Sequence, residues 1–330
     1  MKCASFFAGV GGIDLGFKMA GFETIYANEN DLFATQTFKE NFNAEIDTRS
    51  IIDVPVSDIP NFDIMLAGFP CQAFSIAGYR KGFDDVGRGD LFFELLRIFK
   101  EKNPPIIFLE NVKNLVTHDN GKTFTIIKDI LIDHGYHIHY QVLNACEYGN
   151  IPQNRERIYI VCFKDKAVSN RFRFPKKIPL TTKISDMLDD ENNISSVFYY
   201  TNKTPFFDEL VANIKNADTL YQWRRKYVRD NKNNLCPTLT ANMGAGGHNV
   251  PLLNVQGEPN TIRKLTPREC FNFQGFPKEF ILPPLSNARL YKQAGNSVAV
   301  PVIYRIAKQI KLALNPLTSR GLQKHKLTFN

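Results

Sequence analysis

The stretch CASFFAGVGGIDLGFKMAGFETIYAN, residues 3–28, decides the fold. Its first apolar run predicts a β-strand, which passes through a glycine-rich turn into a helical pattern, GIDLGFKMA, that ends at Gly21. ETIYAN then predicts a second strand. A strand, a helix and a strand in this order are typical of the parallel βαβ units of α/β proteins.

Further apolar runs extend the same sheet. DIMLAG (63–68) and PIIFLEN (105–111) predict two more strands. Between them we expect a helix that is capped by Asp90 and ended by Pro104 and Pro105, with an apolar stripe of Leu91, Phe92, Leu95, Leu96 and Phe99. HIHYQVLNA (137–145) and RIYIVCF (157–163) predict later strands, antiparallel at the sheet edge.

The pattern changes after Phe163. Residues from about 165 to 260 are rich in Asn, Lys and Pro and show no βαβ repetition, which predicts a second, smaller domain. TPRECFNF (266–273) predicts a short helix and VPVIYRIAKQIKLAL (300–314) a closing one. The predicted division is 1–175 for a first domain, 176–262 for a second, and 263–330 for a return to the first.

Composition restricts the class of protein. The chain has 330 residues, with 43% hydrophobic and 22% charged residues, as in ordinary soluble globular proteins. A net charge of +8 suits a polyanionic partner but is a weak signal alone. We expect no signal peptide, no membrane span and no metal site, and six cysteines without a CxxC pair predict a reducing cytoplasm.

The loop GFPCQAFSIAG (68–78) is the sharpest local feature. Cys71 follows the predicted strand DIMLAG, at the sheet edge where open α/β sheets bind ligands. Most cysteines are inert core residues. Here the flanking Gly68, Pro70 and Gln72 favour a shaped polar loop, so Cys71 is a candidate nucleophile.

Other candidate groups end predicted strands at the same edge. The glycines of the turn FAGVGG (7–12) allow a ligand to approach the backbone closely, although the stretch could equally be only a tight turn. Glu29 is placed to bind ribose hydroxyls, although a lone Glu at a strand end is more often only solvated. Glu110 is a carboxyl group that burial would keep protonated, or a cap of the next turn. QNRER (153–157) places two guanidinium groups on one strand face, which suits an anion or a base edge but also an ordinary solvated strand.

Six motifs in order carry a resemblance to a known family. FAGVGG, GFPCQAFS, ENVKN, QNRER, RKLTPREC with QGFP, and QAGNSV resemble the motif blocks of the DNA (cytosine-5) methyltransferases, especially the compact bacterial enzymes of restriction–modification systems. The resemblance covers roughly residues 3–165 and 260–314. It implies a Rossmann-like α/β sheet for S-adenosylmethionine and a smaller target-recognition domain in the middle segment.

The resemblance also implies catalytic roles. Cys71 would add to carbon 6 of a flipped-out cytosine, which makes carbon 5 nucleophilic. Glu110 would protonate or hydrogen-bond ring nitrogen 3. Arg155 would hold the base carbonyl, and Arg157 would help to position the loop or the nucleotide.

The same resemblance implies a set of residues for the methyl donor. The set is Phe7, Gly9, Gly11, Gly12, Glu29, Pro70 and Asn296. One position departs from the family, because many relatives place an Asp after the third strand for the adenine amino group, whereas ungapped counting places Ser50 there. Either the contact is lost, or Asp47 or Asp53 supplies it.

Double-stranded DNA is the expected partner. Residues 73–89 resemble the mobile loop that closes over the flipped base, and the expected DNA contacts are Gln72, Ser75, Arg80, Arg88, Arg224, Arg225, Thr238 and Gly246. We expect a monomer that shares its site with a cognate restriction endonuclease without needing to contact it. The alternatives are a transfer-RNA methylase of the same family, a DNA-binding regulator on an inactive methylase fold and, more remotely, a nicotinamide-linked oxidoreductase.

Overall fold

The structure is a computed structural model that describes residues 1–70, 91–244, 250–255 and 261–315. Its first half builds one large sheet with helices on both faces. The elements of this part are β1 Lys2–Phe6, α1 Gly12–Met19, β2 Glu23–Asn28, α2 Leu32–Asn41, β3 Glu45–Asp47, β4 Ile64–Ala67, α3 Leu91–Lys102, β5 Ile106–Val112, α4 Lys122–Asp133, β6 His137–Asn144, α5 Ala145–Tyr148, β7 Glu156–Phe163 and α6 Lys166–Arg171.

The second half adds a small sheet and the closing helices. Its elements are α7 Phe207–Asn213, β8 Tyr221–Trp223, β9 Val228–Asp230, β10 Leu252–Asn254, β11 Ile262–Lys264, α8 Pro267–Asn272, α9 Asn287–Asn296 and α10 Val300–Leu314, and several short 3₁₀ turns connect them. No helix in the described ranges has the length and apolar character that a bilayer crossing requires.

The large sheet has seven strands in the order β3-β2-β1-β4-β5-β7-β6. The first five strands in this order run parallel, and β7 pairs antiparallel with both β5 and β6. The predicted α/β class and the antiparallel edge are therefore confirmed. The chain leaves β1 for β2 on one side and returns as β4 on the other, which creates a crevice at the carboxyl ends of β1 and β4.

Two apolar layers sandwich this sheet. Along β4, Met65 packs in the layer that contains Leu95 of α3 and Ile127 of α4, whereas Leu66 packs in the layer that contains Phe17 of α1 and Ile303 of α10. This alternation follows from the two-residue period of a strand. Because both faces are covered, β4 is apolar throughout and β5 is apolar from Ile106 to Leu109, as a buried parallel strand requires.

Most predicted elements lie where the sequence places them. ETIYAN forms β2 and VPVIYRIAKQIKLAL forms α10. Thr266 opens α8 with a capping box that includes Glu269, and Pro267 occupies the first turn. In α3 the stripe differs slightly, since Leu91 is half-buried and Ile98 is fully buried. The predicted cap Asp90 lies outside the described residues.

The second sheet is antiparallel, with the order β11-β10-β8-β9. Tyr221 and Trp223 of β8 pack with Leu252 and Ile262 and with helix α7 in a separate small core. This sheet extends past the predicted boundary at residue 262, because β11 is Ile262–Lys264.

Candidate active site

A cavity of about 400 Å³ lies at the carboxyl ends of β1, β2, β4 and β5. This is the crevice in which open α/β sheets bind ligands. The predicted site residues that line it are Phe7, Gly9, Gly12, Glu29, Pro70, Glu110, Arg155, Arg157 and Asn296. Residues that are up to 289 positions apart in sequence therefore meet at one site.

The turn after β1 shapes one wall. Phe7 has a φ of 55°, a left-handed conformation that non-glycine residues rarely adopt, and Gly9 follows with a φ of 57°. The structure does not bring Gly11 to the cavity. Gly11 has a φ of 85°, and a Cβ there would lie 2.3 Å from the ring of Phe42. The contribution of Gly11 is to the turn itself.

Glu29 follows β2 and fastens this turn. Its Oε2 accepts a hydrogen bond from the Gly9 amide and its Oε1 one from the Asp31 amide, both at 2.8 Å. Burial raises the pKa of Glu29, although these two amides oppose the shift. Each carboxylate oxygen keeps a lone pair for a further donor, which suits a pair of vicinal hydroxyls.

Glu110 and Arg157 form an ion pair in the opposite wall. Arg157 Nε lies 3.1 Å from Glu110 Oε1, and both side chains are nearly buried. Burial raises the pKa of Glu110, and the charges of Arg157 and Arg155 oppose this shift. The carboxyl group is thus biased toward its protonated form while a cation holds it in place.

Arg155 lies one residue before β7, so the two arginines do not both belong to the strand as predicted. Its Nη1 donates to the carbonyl of Leu239 at 2.8 Å, and its Nη2 donates to the carbonyls of Gly295 at 3.2 Å and of Ser297. Burial lowers the pKa of Arg155. This guanidinium joins three separate chain segments around the cavity.

Two buried polar atoms of the cavity wall, Arg155 Nε and Ser297 Oγ, lack a hydrogen-bond partner among the described residues. A third, Glu110 Oε1, has only its ion-pair contact with Arg157 Nε. A buried unsatisfied group costs about 1–3 kcal/mol, so several together are typical of a site whose partners arrive with a ligand. The three supply an acidic group, a guanidinium donor and a hydroxyl to a polar ligand.

The predicted nucleophile, Cys71, lies outside the described residues. The residues before it are placed, since Pro70 lines the cavity and the Phe69 carbonyl accepts a 2.8 Å hydrogen bond from Asn111 Nδ2. Burial raises the pKa of each of the other cysteines, which are Cys3, Cys146, Cys162, Cys236 and Cys270. None of these thiols in the described ranges is activated for attack.

The three positions considered for the adenine contact lie in different places. Ser50, where ungapped counting puts the contact, lines the cavity, whereas the two alternatives, Asp47 and Asp53, do not. Asp47 is instead bound by Arg49 at 2.6 Å and by the Tyr26 hydroxyl at 3.3 Å. Of these three residues, the cavity wall thus includes only the serine.

Two contacts at the site were not predicted from the sequence, an ion pair between Lys292 and Asp31 and the hydrogen bond from the Asn111 side chain to the Phe69 carbonyl. Lys292 of α9 lies 2.7 Å from Asp31, the N-cap of α2, and both line the cavity. Asp is a common N-cap residue, but nothing local connects Asp31 to a lysine 261 residues away. Asn111 belongs to the ENVKN motif, yet its hydrogen bond to Phe69 depends on the sheet register.

Comparison with known proteins identifies the family. The profile of the C-5 cytosine-specific DNA methylases matches residues 1–312. The chain belongs to this family. It therefore methylates carbon 5 of cytosine in DNA, and the predicted activity is confirmed.

Individual relatives agree with this assignment. The chain is 58% identical over 312 residues to the Type II methyltransferase M.Bsp6I of Bacillus sp. (strain RFL6), covering 94% of this chain and 98% of that protein. It is 38% identical over 335 residues to the Type II methyltransferase M.HhaI of Haemophilus parahaemolyticus, covering 96% and 95%. The crystal structure of the S. pombe Dnmt2 methyltransferase has the same fold, with a TM-score of 0.73 at 16% identity over 96% of this chain and 99% of that one.

A second cavity of this methylase, about 740 Å³ and here called the hairpin cleft, is lined by Asn154, the residue before Arg155 of the first cavity. Thr238, one of the predicted DNA contacts, lines it and donates a 2.6 Å hydrogen bond to the Asn154 carbonyl. Arg224 is exposed and lines the same cleft, and Arg225 is exposed in the β8–β9 turn with a φ of 61°. The remaining predicted contacts lie outside the described residues, namely Gln72, Ser75, Arg80, Arg88 and Gly246.

Proposed function

We propose that this methylase modifies one cytosine within a specific duplex sequence through a covalent adduct with Cys71, with S-adenosylmethionine as donor. The observation that carries the proposal is the convergence of Glu110, Arg155 and Arg157 on the cavity that Pro70 also lines. The buried atoms without partners in the same wall suit an incoming polar base and donor.

The covalent step follows from the chemistry of the base. The Cys71 thiolate adds to carbon 6 while Glu110 holds a proton at nitrogen 3, so the electron pair of the 5,6 bond is delivered to carbon 5. Arg157 keeps the Glu110 carboxyl in position, and the free Nε of Arg155 donates to the base carbonyl. Once carbon 5 is methylated, a water molecule accepts its remaining proton, and the electron pair of the broken C–H bond re-forms the 5,6 double bond and expels the thiolate.

The residues of the first cavity fit the methyl donor. When bound, S-adenosylmethionine supplies the methyl group that carbon 5 receives. Glu29 has acceptor capacity for ribose hydroxyls, and the Ser50 hydroxyl, which belongs to the same cavity wall, would accept a hydrogen bond from the adenine amino group. Phe7, Gly9 and Asn296 would form further parts of the wall.

The wider proposal concerns organisation and biological role. Residues 1–175 would form the catalytic and cofactor-binding domain, 176–262 the target-recognition domain, and 263–330 the return to the first. We propose a cytoplasmic monomer that protects host DNA from a restriction endonuclease of the same specificity, in keeping with its Type II relatives. The test of protection is digestion of DNA from expressing cells after bisulfite sequencing has defined the site.

The covalent mechanism has a direct test. A duplex with 5-fluorocytosine at the target cannot lose its carbon 5 substituent, so the adduct accumulates. We expect a denaturation-resistant protein–DNA complex with the wild type and with Cys146→Ser, and none with Cys71→Ser. A complex formed by Cys71→Ser would contradict the assigned nucleophile, and donor label incorporated in RNA but not in DNA would contradict the DNA substrate.

A further inference from the structure

The hairpin cleft contains a feature that the methyl-transfer chemistry does not use. In β8, Tyr221 and Trp223 point into the small core, so the residue between them, Gln222, points to the opposite face. That face is the wall of the hairpin cleft. Arg229 of β9 stands directly across from Gln222 in the antiparallel register and lines the same cleft.

The amide of Gln222 is incompletely satisfied. The side chain is only 7% exposed, and its Oε1 is buried without a hydrogen-bond partner among the described residues. A buried acceptor of this kind destabilises the free protein unless a partner arrives. Rotation about the last side-chain bond exchanges the positions of the amide oxygen and nitrogen, and this torsion is broad in glutamine, so either atom can face the cleft.

The position of the cleft next to Arg155 and its exposed arginines suit the binding of DNA. Its wall includes Asn154, the residue before Arg155 of the catalytic cavity, and the Asn154 amide donates to the Cys236 carbonyl at 2.8 Å. The two exposed arginines of the cleft, Arg224 and Arg229, form no ion pair within the described ranges, and the wall contains one exposed acid, Asp230, so its net charge is positive. A duplex whose target base occupies the first cavity would therefore present neighbouring base pairs to this cleft.

We propose that Gln222 determines one base pair of the recognition sequence. Its Oε1 accepts a hydrogen bond from N6 of adenine in the major groove, because the amide of glutamine is complementary to the N6 and N7 edge of that base. The exposed arginines beside it bind phosphates and hold the register. This inference rests on the proposed site-specific methylation of duplex DNA and adds a residue that reads the site.

The test is a recognition profile. Wild type and Gln222→Ala are incubated with S-adenosylmethionine and a duplex library randomised around a fixed cytosine, and methylated members are read by bisulfite sequencing. We expect the variant to lose discrimination at one base pair by about 10- to 100-fold, with the other positions unchanged. An unchanged profile, or a uniform loss at all positions, would overturn the proposal.

Two further variants keep the result interpretable. Asn254→Ala is the matched control, because Asn254 also has a buried Oδ1 without a partner in the described ranges but lies outside the cleft. It should keep the wild-type profile. Gln222→Glu retains the side-chain shape and should shift the preference at the same pair toward cytosine, so it decides the matter if Gln222→Ala unfolds. A profile of Gln222→Glu that matches the wild type would refute the inference.

The library also separates the two levels of the proposal. A wild type that methylates no library member, or methylates all members equally, contradicts the proposed site-specific activity. A wild type with a defined site that Gln222 variants recognise unaltered contradicts only the role of Gln222.

Discussion

The buried carboxyl group of Asp14 should make the stability of this methylase depend on pH. Asp14 is fully buried in α1 and accepts hydrogen bonds from Ser5 Oγ and Thr24 Oγ1, each at 2.9 Å. Burial raises its pKa from 3.8 to about 6, although both hydroxyls favour the ionised form. Nothing else in the described surroundings of this carboxyl supplies a compensating cation.

The sign follows from proton linkage. Between pH 3.8 and about 6 the folded state binds the Asp14 proton more tightly than the unfolded state does. The stabilisation that comes from protonated Asp14 is therefore fully present below pH 3.8 and is lost as the pH rises through about 6. The whole change corresponds to about 3 kcal/mol, because one pKa unit corresponds to about 1.4 kcal/mol. About half of it, roughly 1.4 kcal/mol, falls between pH 5 and pH 8.

Asp14→Asn removes this titration and nearly preserves the shape. We expect the difference in free energy of unfolding, variant minus wild type, to rise by about 1.4 kcal/mol from pH 5 to pH 8. Urea titrations followed by far-UV circular dichroism measure it, since the single tryptophan, Trp223, lies in the small sheet and reports on that region. Taking the difference removes the other titrating groups. A difference that stays constant with pH to within about 0.5 kcal/mol would refute the reasoning.

Three further outcomes are expected. Glu110→Gln should slow single-turnover methylation by about 100-fold or more at unchanged donor affinity, because an amide cannot deliver a proton to nitrogen 3; a normal rate would exclude the acid role. Ser50→Ala should weaken donor binding several-fold by calorimetry, about 1 kcal/mol, whereas Asp53→Ala should not, and the reverse result would favour the shifted alignment. Gly295→Ala should lower stability by about 1–3 kcal/mol, because its Cβ would lie 2.1 Å from the Thr240 carbonyl oxygen; an unchanged thermal midpoint would show that this segment yields.

The elements that the sequence predicted are those with a strong local period. β2 and α10 were predicted to the residue, since an apolar run between turn residues and a clear apolar stripe each leave few alternatives. Helix α2, LFATQTFKEN, has no such stripe, and its buried face includes Thr35 and Thr37. Only tertiary packing identifies that segment as a buried helix.

The candidate site also contains residues that the sequence could predict and others that it could not. Glu29 and Glu110 were predicted because strand ends of a parallel sheet meet at one edge, a rule that needs only the strand assignments. The surroundings of Arg155 were not predictable, because its guanidinium partners lie 84 to 142 residues further along the chain. The Gln222 amide was equally hidden, since its exposure to the cleft depends on the register of a three-residue strand.

The burial that raises the pKa of carboxyl groups in this part of the protein also makes the fold less stable at higher pH. Burial raises the pKa of Asp14, Glu29 and Glu110, so each carboxyl group keeps its proton to a higher pH in the folded state than in the unfolded chain. Ionisation of each group therefore lowers the free energy of unfolding as the pH rises. For Glu110 this bias is the proposed catalytic property, because a carboxyl that ionised freely in water could not hold a proton at nitrogen 3 near neutral pH. The apolar layers on both faces of the sheet supply the stability that offsets this loss, and they contain none of the reacting groups. Asp14→Asn should therefore gain stability relative to the wild type above about pH 6. A neutral residue at Glu110 instead leaves the nearly buried Arg157 without its ion-pair partner and removes the proposed acid. This difference separates a catalytic carboxyl group from a structural one such as Asp14.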